Sequence, residues 1–234
     1  MAQHSICPQF DQWITDPGMK IRGFEFVKAV KCRLGCLLTP SRASRGRNNP
    51  SGRICKRDRQ VASLNHIAQH CQSTHGLRVE RHDSVVDMVR GALARKQWRT
   101  LKEPHIPVGN SWLKPDLVCL SKCKKKMLIL DPIICSANKN LRLEAANEQK
   151  VAKYSGEELK TGCAKVLLGQ SDISGIKETC VHGIAISCRG SVPKSTRSLL
   201  LSSLGRRMSA FVILRVLFET ARMTELYMRT VHVS

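Results

Sequence analysis

An α/β fold is the class this sequence predicts, on three observations. Residues 113–120 and 126–135 form two short apolar runs joined by a lysine-rich turn, the pattern of a hairpin of buried strands. Helical periodicity flanks them, through Val85, Val86, Met88, Val89 and Leu93 before and over 141–159 after. A further apolar run at 181–188 supplies another strand, so helices and strands alternate around the hairpin.

Taken in order, residues 1–20 are poorly patterned, and 24–38 place Phe24, Val27, Val30 and Leu34 at helical spacing, which predicts a helix packed on that face. A basic stretch follows, and then a small helix over 63–70. The next helix is expected to start at His82, capped by Asp83 or Ser84 with acids in its first turn. A strand at 98–101 leads to the hairpin. Beyond the 181–188 strand, Pro193 opens a helix bearing Leu199, Leu200, Leu201 and Leu204, and 208–228 is apolar-rich and helical or mixed. Three parts result: a helical and basic linker at 1–54, a knuckle-like module at 55–80 and an α/β domain at 81–234.

Chemistry concentrates on the hairpin. Lys114-Pro115-Asp116 opens its first strand, Asp131 closes the apolar run Met127-Leu128-Ile129-Leu130, and Lys150 lies in the following helix. Each acid is expected where its strand meets the surface. A scissile phosphate is already anionic, so water attacks it readily only where divalent cations neutralise charge and lower the pKa of the water. Magnesium prefers oxygen and is commonly held by one or two carboxylates, a pair Asp116 and Asp131 can supply; Mn²⁺ would serve alike. Lys150 would orient the water or stabilise the pentacovalent phosphate. On spacing alone the same residues suit two turns and an exposed helix better. Helix, strands, helix and strand around paired acids form an arrangement typical of restriction-enzyme-like nucleases.

Charge favours the nuclease reading. The 234 residues carry 39 Lys plus Arg against 18 Asp plus Glu, a formal charge of +21. Such a field attracts polyanions, and each neutralised phosphate releases counterions, so a nucleic acid is the expected partner. Residues 20–60 alone hold 12 basic and 2 acidic side chains, the densest part being Arg42, Arg45, Arg47, Arg53, Lys56, Arg57 and Arg59 interleaved with Gly46, Pro50 and Gly52. Lys114 and Lys153 add positive charge beside the acids. A membrane surface fits less well, because 42–59 lacks the aromatic and leucine face such helices use. No window reaches 18 apolar residues, and the first 20 residues show no positive region followed by an apolar core, so neither membrane insertion nor secretion is expected.

Eleven cysteines without a regular framework suggest a reducing compartment with free or metal-bound thiols. Cys55, two residues, Asp58, seven residues, His66, four residues and Cys71 nearly reproduce a CCHC zinc knuckle, with Asp in the second cysteine position. Zn²⁺ at this set and a small helix without metal both fit the spacing. Cys32/Cys36 and Cys119/Cys123 lie in apolar-periodic segments without a matching second pair and read as core or edge thiols.

Short segments running in one order carry a more specific likeness: 24–30 and 39–43, 63–71, 74–79, Arg81-His82-Asp83, Lys102-Glu103-Pro104, Lys114-Pro115-Asp116-Leu117-Val118, Leu130-Asp131, Lys150-Val151, Lys153-Tyr154, His182-Gly183, Arg189-Gly190 and 193–196. In these the chain resembles the C-terminal part of the Pol polyprotein of site-specific non-LTR retrotransposable elements of type 1, the class that inserts into ribosomal RNA genes. The resemblance implies a restriction-endonuclease-like core of the PD-(D/E)XK type preceded by a CCHC-like zinc knuckle. It implies a nuclear enzyme that nicks target DNA and leaves a 3′ hydroxyl from which a reverse transcriptase copies element RNA. Asp116 and Asp131 would then be the metal-binding acids, Lys150 the catalytic lysine displaced onto the following helix, and Cys55, His66 and Cys71 knuckle ligands. Asp58 departs from the pattern, and no Tyr-x-Asp-Asp polymerase sequence occurs. The chain is therefore expected to be a fragment or decayed copy of the parent polyprotein; the alternative reading of the chain is an inert nucleic-acid-binding remnant.

Overall fold

The computed structural model describes residues 12–48, 51–136, 140–169 and 173–232; Pro50 and residues 1–11 of the expected linker lie outside them. Nine α-helices and six strands occur among the described residues. In chain order these are α1 (Gln12–Thr15), α2 (Gly23–Arg33), α3 (Pro40–Ala43), α4 (Leu64–Gln69), α5 (His75–Arg95), β1 (Arg99–Lys102), β2 (Ile106–Val108), β3 (Ser111–Leu113), β4 (Leu117–Leu120), β5 (Lys126–Cys135), α6 (Asn140–Tyr154), α7 (Glu157–Leu168), β6 (Glu178–Ser187), α8 (Lys194–Leu204) and α9 (Arg206–Tyr227). The fold is mixed α/β, as the sequence predicts.

Four strands make the central sheet in the order β1-β4-β5-β6, antiparallel except for the parallel pair β5/β6. The pleat sorts its side chains. Leu117, Cys119, Leu128, Leu130, Ile184 and Ile186 pack toward α5, α8 and α9, while Val118, Leu120, Met127, Ile129 and Val181 pack toward α7 and Tyr154. Helices on both faces explain why β4 reads Leu-Val-Cys-Leu, apolar at every position and buried throughout.

Several expectations need correction. The run 113–120 is two strands, since β3 leaves the main sheet to pair with β2 in a separate hairpin and Pro115 separates it from β4. The helix expected from His82 begins at His75, leaving Asp83 and Ser84 inside it rather than at its cap. Tertiary bonds hold that early stretch helical: the fully buried Arg81 donates to Thr220 Oγ1 and to the Ala68 carbonyl, both at 2.9 Å. The single helix expected over 141–159 breaks at Gly156, whose extended backbone (φ −60°, ψ 139°) starts α7. On α2 the buried residues are Ala29 and Cys32, whereas Phe24, Val27 and Leu34 are about half exposed or more. The small side chains of Ala29 and Cys32 let α2 lie close against α9, and Phe24 is left at the rim, edge-on to Phe218 with ring centroids 6.4 Å apart.

The basic stretch is also more structured than a linker. Thr39 caps α3, a 3-10 turn covers Ser51–Arg53, and Ile54 bridges Val61. Ser63 Oγ caps α4 by accepting from the His66 N–H at 3.2 Å, as the small helix over 63–70 requires. Among the described residues no helix is long and apolar enough to cross a membrane.

Candidate metal-dependent active site

Strand register brings the acids together. Leu117 pairs with Leu130 across β4 and β5, and extending that antiparallel register by one residue sets Asp116 opposite Asp131. Asp116 directly precedes β4, but Asp131 lies inside β5 and is only 3% exposed, not at a strand end on the surface. The reason is that β4 stops where Pro132, which has no N–H to give a ladder, follows Asp131; β5 continues with β6 alone. Both side chains share the parity of Val118 and Ile129, so they face the α6/α7 side.

That side delivers the lysine. Lys150 Nζ lies 2.7 Å from Asp131 Oδ1, an ion pair with the carboxylate nearly enclosed and the ammonium about one quarter exposed. The ammonium engages one lone pair of the carboxylate, and the remaining lone pairs are available to another cation. The close approach of α6 depends on Gly183, the register partner of Asp131 on β6. A Cβ at Gly183 would stand 2.9 Å from Lys150 Cβ and 3.0 Å from Asn147 Cα and O, mostly backbone that cannot swing aside. Gly183→Ala is therefore expected to cost about 1–3 kcal/mol of stability and to move Lys150 off Asp131, which denaturant titration and a crystal structure of the variant would register.

The structure adds a residue that motif spacing did not nominate. His82, on α5, places Nε2 3.1 Å from both Asp116 Oδ2 and the Pro132 carbonyl, and Nδ1 3.2 Å from Asp83 Oδ1. Both ring nitrogens face acceptors, so the imidazolium satisfies every contact. Its pKa is accordingly raised to about 9, chiefly by the Asp116 bond and against the opposing effect of burial. The Asp116 carboxyl is itself raised, because burial and the neighbouring Asp131 charge outweigh the help from His82. Lys150 and His82 balance the two carboxylates one for one, and the adjacent carboxylate oxygens are the hard donor pair that a divalent cation takes. One trace of His82 was present in the sequence: it sits three, four and seven residues before Val85, Val86 and Val89, a polar side chain on an inward-facing stripe.

Backbone contacts hold the entrance to this pair. The Tyr154 hydroxyl donates to the Lys114 carbonyl at 3.2 Å, and the Glu103 N–H donates to the Asp116 carbonyl at 2.9 Å. Lys114 is ion-paired with Glu103, and Lys153 is exposed on the last turn of α6 with its ammonium over the Tyr154 ring.

The second expected cluster also converges. One ligand atom from each of Cys55, Asp58, His66 and Cys71 lies within 4.8 Å of the others, with Cys55 Sγ 3.8 Å from Cys71 Sγ and His66 Nε2 3.4 Å from Asp58 Oδ2. His66 Nε2 is buried and makes no hydrogen bond, and burial holds the ring below its ordinary pKa, in the neutral form that a metal needs. An orphaned nitrogen aimed at two thiols and a carboxylate fits a tetrahedral zinc. The cluster rests on Met223 and Tyr227 of α9, and Arg78 on α5 donates to the Cys71 carbonyl at 2.9 Å.

The arginines expected to hold nucleic acid divide. Arg45, Arg47, Arg53, Lys56 and Arg57 are exposed, whereas Arg42 is half-buried and donates to the Gly35 carbonyl at 2.8 Å. Arg53 also reaches the Ser44 carbonyl at 3.3 Å. Of the cysteine pairs, Cys32 and Cys119 are buried, and Cys36 and Cys123 are exposed thiols.

No family model matches the chain. Among curated proteins it is 30% identical over 182 residues to the retrovirus-related Pol polyprotein from type-1 retrotransposable element R2 of Nasonia vitripennis, covering 76% of this chain and 17% of that protein. It is 26% identical over 179 residues to the Pol polyprotein from type-2 element R2DM of Drosophila melanogaster, covering 76% and 16%. It is 31% identical over 145 residues to a type-1 R2 polyprotein of Popillia japonica, covering 61% and 29%. The chain thus spans about one sixth of the length of the first two relatives. Agreement over three quarters of its residues places this chain in the family of R2 retrotransposable element Pol polyproteins, as a segment of one.

Proposed function

We propose that the chain is the endonuclease segment of such a polyprotein, a metal-dependent enzyme that nicks target DNA so that the new 3′ hydroxyl can prime reverse transcription. The observation that carries this reading is the meeting of Asp116, Asp131 and Lys150, with Nζ 2.7 Å from Asp131 Oδ1. Strands that set two carboxylates side by side, with a lysine on the covering helix, suit a PD-(D/E)XK core.

Asp116 and Asp131 would hold Mg²⁺ or Mn²⁺. When bound, the cation supplies charge neutralisation at the scissile phosphate and lowers the pKa of the attacking water. Lys150, ion-paired with Asp131, would present its ammonium to the phosphate, where a compact charge is most useful as negative charge builds. His82 keeps the Asp116 carboxylate ionised and aimed. Lys114 and Lys153 flank the acids as phosphate contacts, with Lys114 exchanging Glu103 for the backbone. Arg45, Arg47, Arg53, Lys56 and Arg57 extend the hold to DNA or element RNA, and Arg42 supports the loop that carries them. Cys55, Asp58, His66 and Cys71 would hold Zn²⁺ in a knuckle at 55–80, between the basic part at 1–54 and the nuclease at 81–234. Work on chromosomal DNA makes the nucleus the place of action.

Supercoiled plasmid tests the proposal. The full chain should relax it to the nicked circle with Mg²⁺ or Mn²⁺ and stop on chelation. Failure to nick at any ionic strength, or nicking that continues under chelator, would remove the enzyme. Salt-sensitive DNA binding without nicking is what the inert remnant would show, and the exposed arginines, which owe nothing to the acid pair, are what favours that second reading.

A further inference from the structure

Trp112 is the most exposed large apolar side chain among the described residues, at 67%. It lies on the outward face of the β2/β3 hairpin, where its register partner is Pro107. The other face of that hairpin is anchored. Ile106 is fully buried, Val108 and Leu113 pack on the α7 cluster, and the Gly109 N–H donates to Glu158 Oε1 at 2.8 Å. Gly162 on α7 is what admits Ile106, since a Cβ there would come within 2.5 Å of Ile106 Cγ2. A hairpin so firmly braced could have buried its tryptophan and does not.

A single exposed apolar residue is ordinary on a protein surface; the address of this one is not. Lys114, Pro115 and Asp116 follow it after Leu113, and the four steps from Trp112 to Asp116 span at most about 14 Å. At about 3.4 Å per nucleotide along a strand, that reach covers some four nucleotides. Lys114 stands two residues on, ion-paired with Glu103, and its carbonyl accepts from the hydroxyl of Tyr154, whose ring lies under the Lys153 ammonium. A braced, solvent-facing aromatic plane on a chain of net charge +21 has the composition of a platform for nucleobases, which stack on it whatever their identity.

We propose that Trp112 is a base-stacking residue, its indole taking the face of an unstacked nucleobase in the DNA strand that runs past Asp116 and Asp131. The proposal rests on the nuclease reading for where the strand lies, but not for the stacking itself. An indole needs a base with a free face, so the preferred ligand is single-stranded or locally opened DNA near the cleavage point rather than intact duplex.

The test is a titration of the full chain with a single-stranded deoxyoligonucleotide, its duplex and the matching RNA, in Ca²⁺, following tryptophan fluorescence. Trp13 is 2% exposed and Trp98 half-buried, so Trp112 dominates any quenching by bases. Quenching by the single strand should vanish in Trp112→Ala, affinity for it should fall about 5- to 150-fold, and Trp112→Phe should recover most of the loss. Equal single-strand affinity in Trp112→Ala, quenching that persists in that variant, or binding confined to RNA would overturn the proposal. Plasmid nicking run in parallel separates the two readings: a wild type that quenches but never nicks loses the nuclease and keeps the stacking residue. A wild type that nicks while Trp112→Ala binds unchanged loses only the stacking.

Discussion

Asp131→Ala and Lys150→Met, each made in the full chain, should lower Mg²⁺-dependent plasmid nicking by about 10³-fold or more, yet affect stability in opposite degree. Asp131 is nearly enclosed and Lys150 about one quarter exposed, so the two halves of the pair are not equivalent. Without Asp131, the lysine stem can carry its ammonium to water, and the metal-free protein should lose little stability. Without Lys150, a buried carboxylate is left beside the Asp116 carboxyl with no counter-charge, at a cost of about 3 kcal/mol. Magnesium should then restore much of that loss, because the cation replaces the missing ammonium. Denaturant titrations with and without Mg²⁺ would show a larger Mg²⁺-induced gain for Lys150→Met than for wild type. Nicking by either variant at the wild-type rate would exclude this pair as the reaction centre, and equal stability of the two variants would exclude the charge argument.

Zinc should raise the melting temperature of the metal-free chain, and Cys71→Ser should abolish the rise. At a free concentration some 1,000 times the dissociation constant, a ligand specific to the native state adds about 4 kcal/mol, or about 12 °C for a chain of this size. The cluster lies between α4 and α9 and touches α5 through Arg78, while Arg81 ties α4 to both α5 and α9. Stiffening it stiffens the helix from which His82 reaches Asp116. Asp58→Cys, which exchanges a hard carboxylate for a thiolate, should tighten zinc binding further. A zinc shift of the same size in wild type and Cys71→Ser would place the metal elsewhere.

Much of this architecture is legible in the amino-acid sequence alone. The expected strand 126–135 coincides with β5, and Pro193 does stand immediately before α8, because buried strands and helix starts leave local marks in residue type. The acid pair, Lys150 and the Cys55/Asp58/His66/Cys71 set were also nominated from motifs, and the fold brings the members of each group together. Other features had no local mark. The early start of α5 depends on Arg81 finding Thr220 and Ala68, the face that α2 buries depends on how close α9 comes, and Trp112 stays outside because Ile106 takes the space against Gly162.

The amino-acid sequence by itself determined the α/β class, the basic character and the identity of the chemical groups, since period, charge and residue type are local properties that need no partner. Tertiary structure alone decided that Asp131 is buried, that His82 joins Asp116, and that Gly183 lets α6 bring Lys150 to 2.7 Å of the carboxylate. Those are statements about which distant segments meet, and their energies arise only when packing removes the water between them.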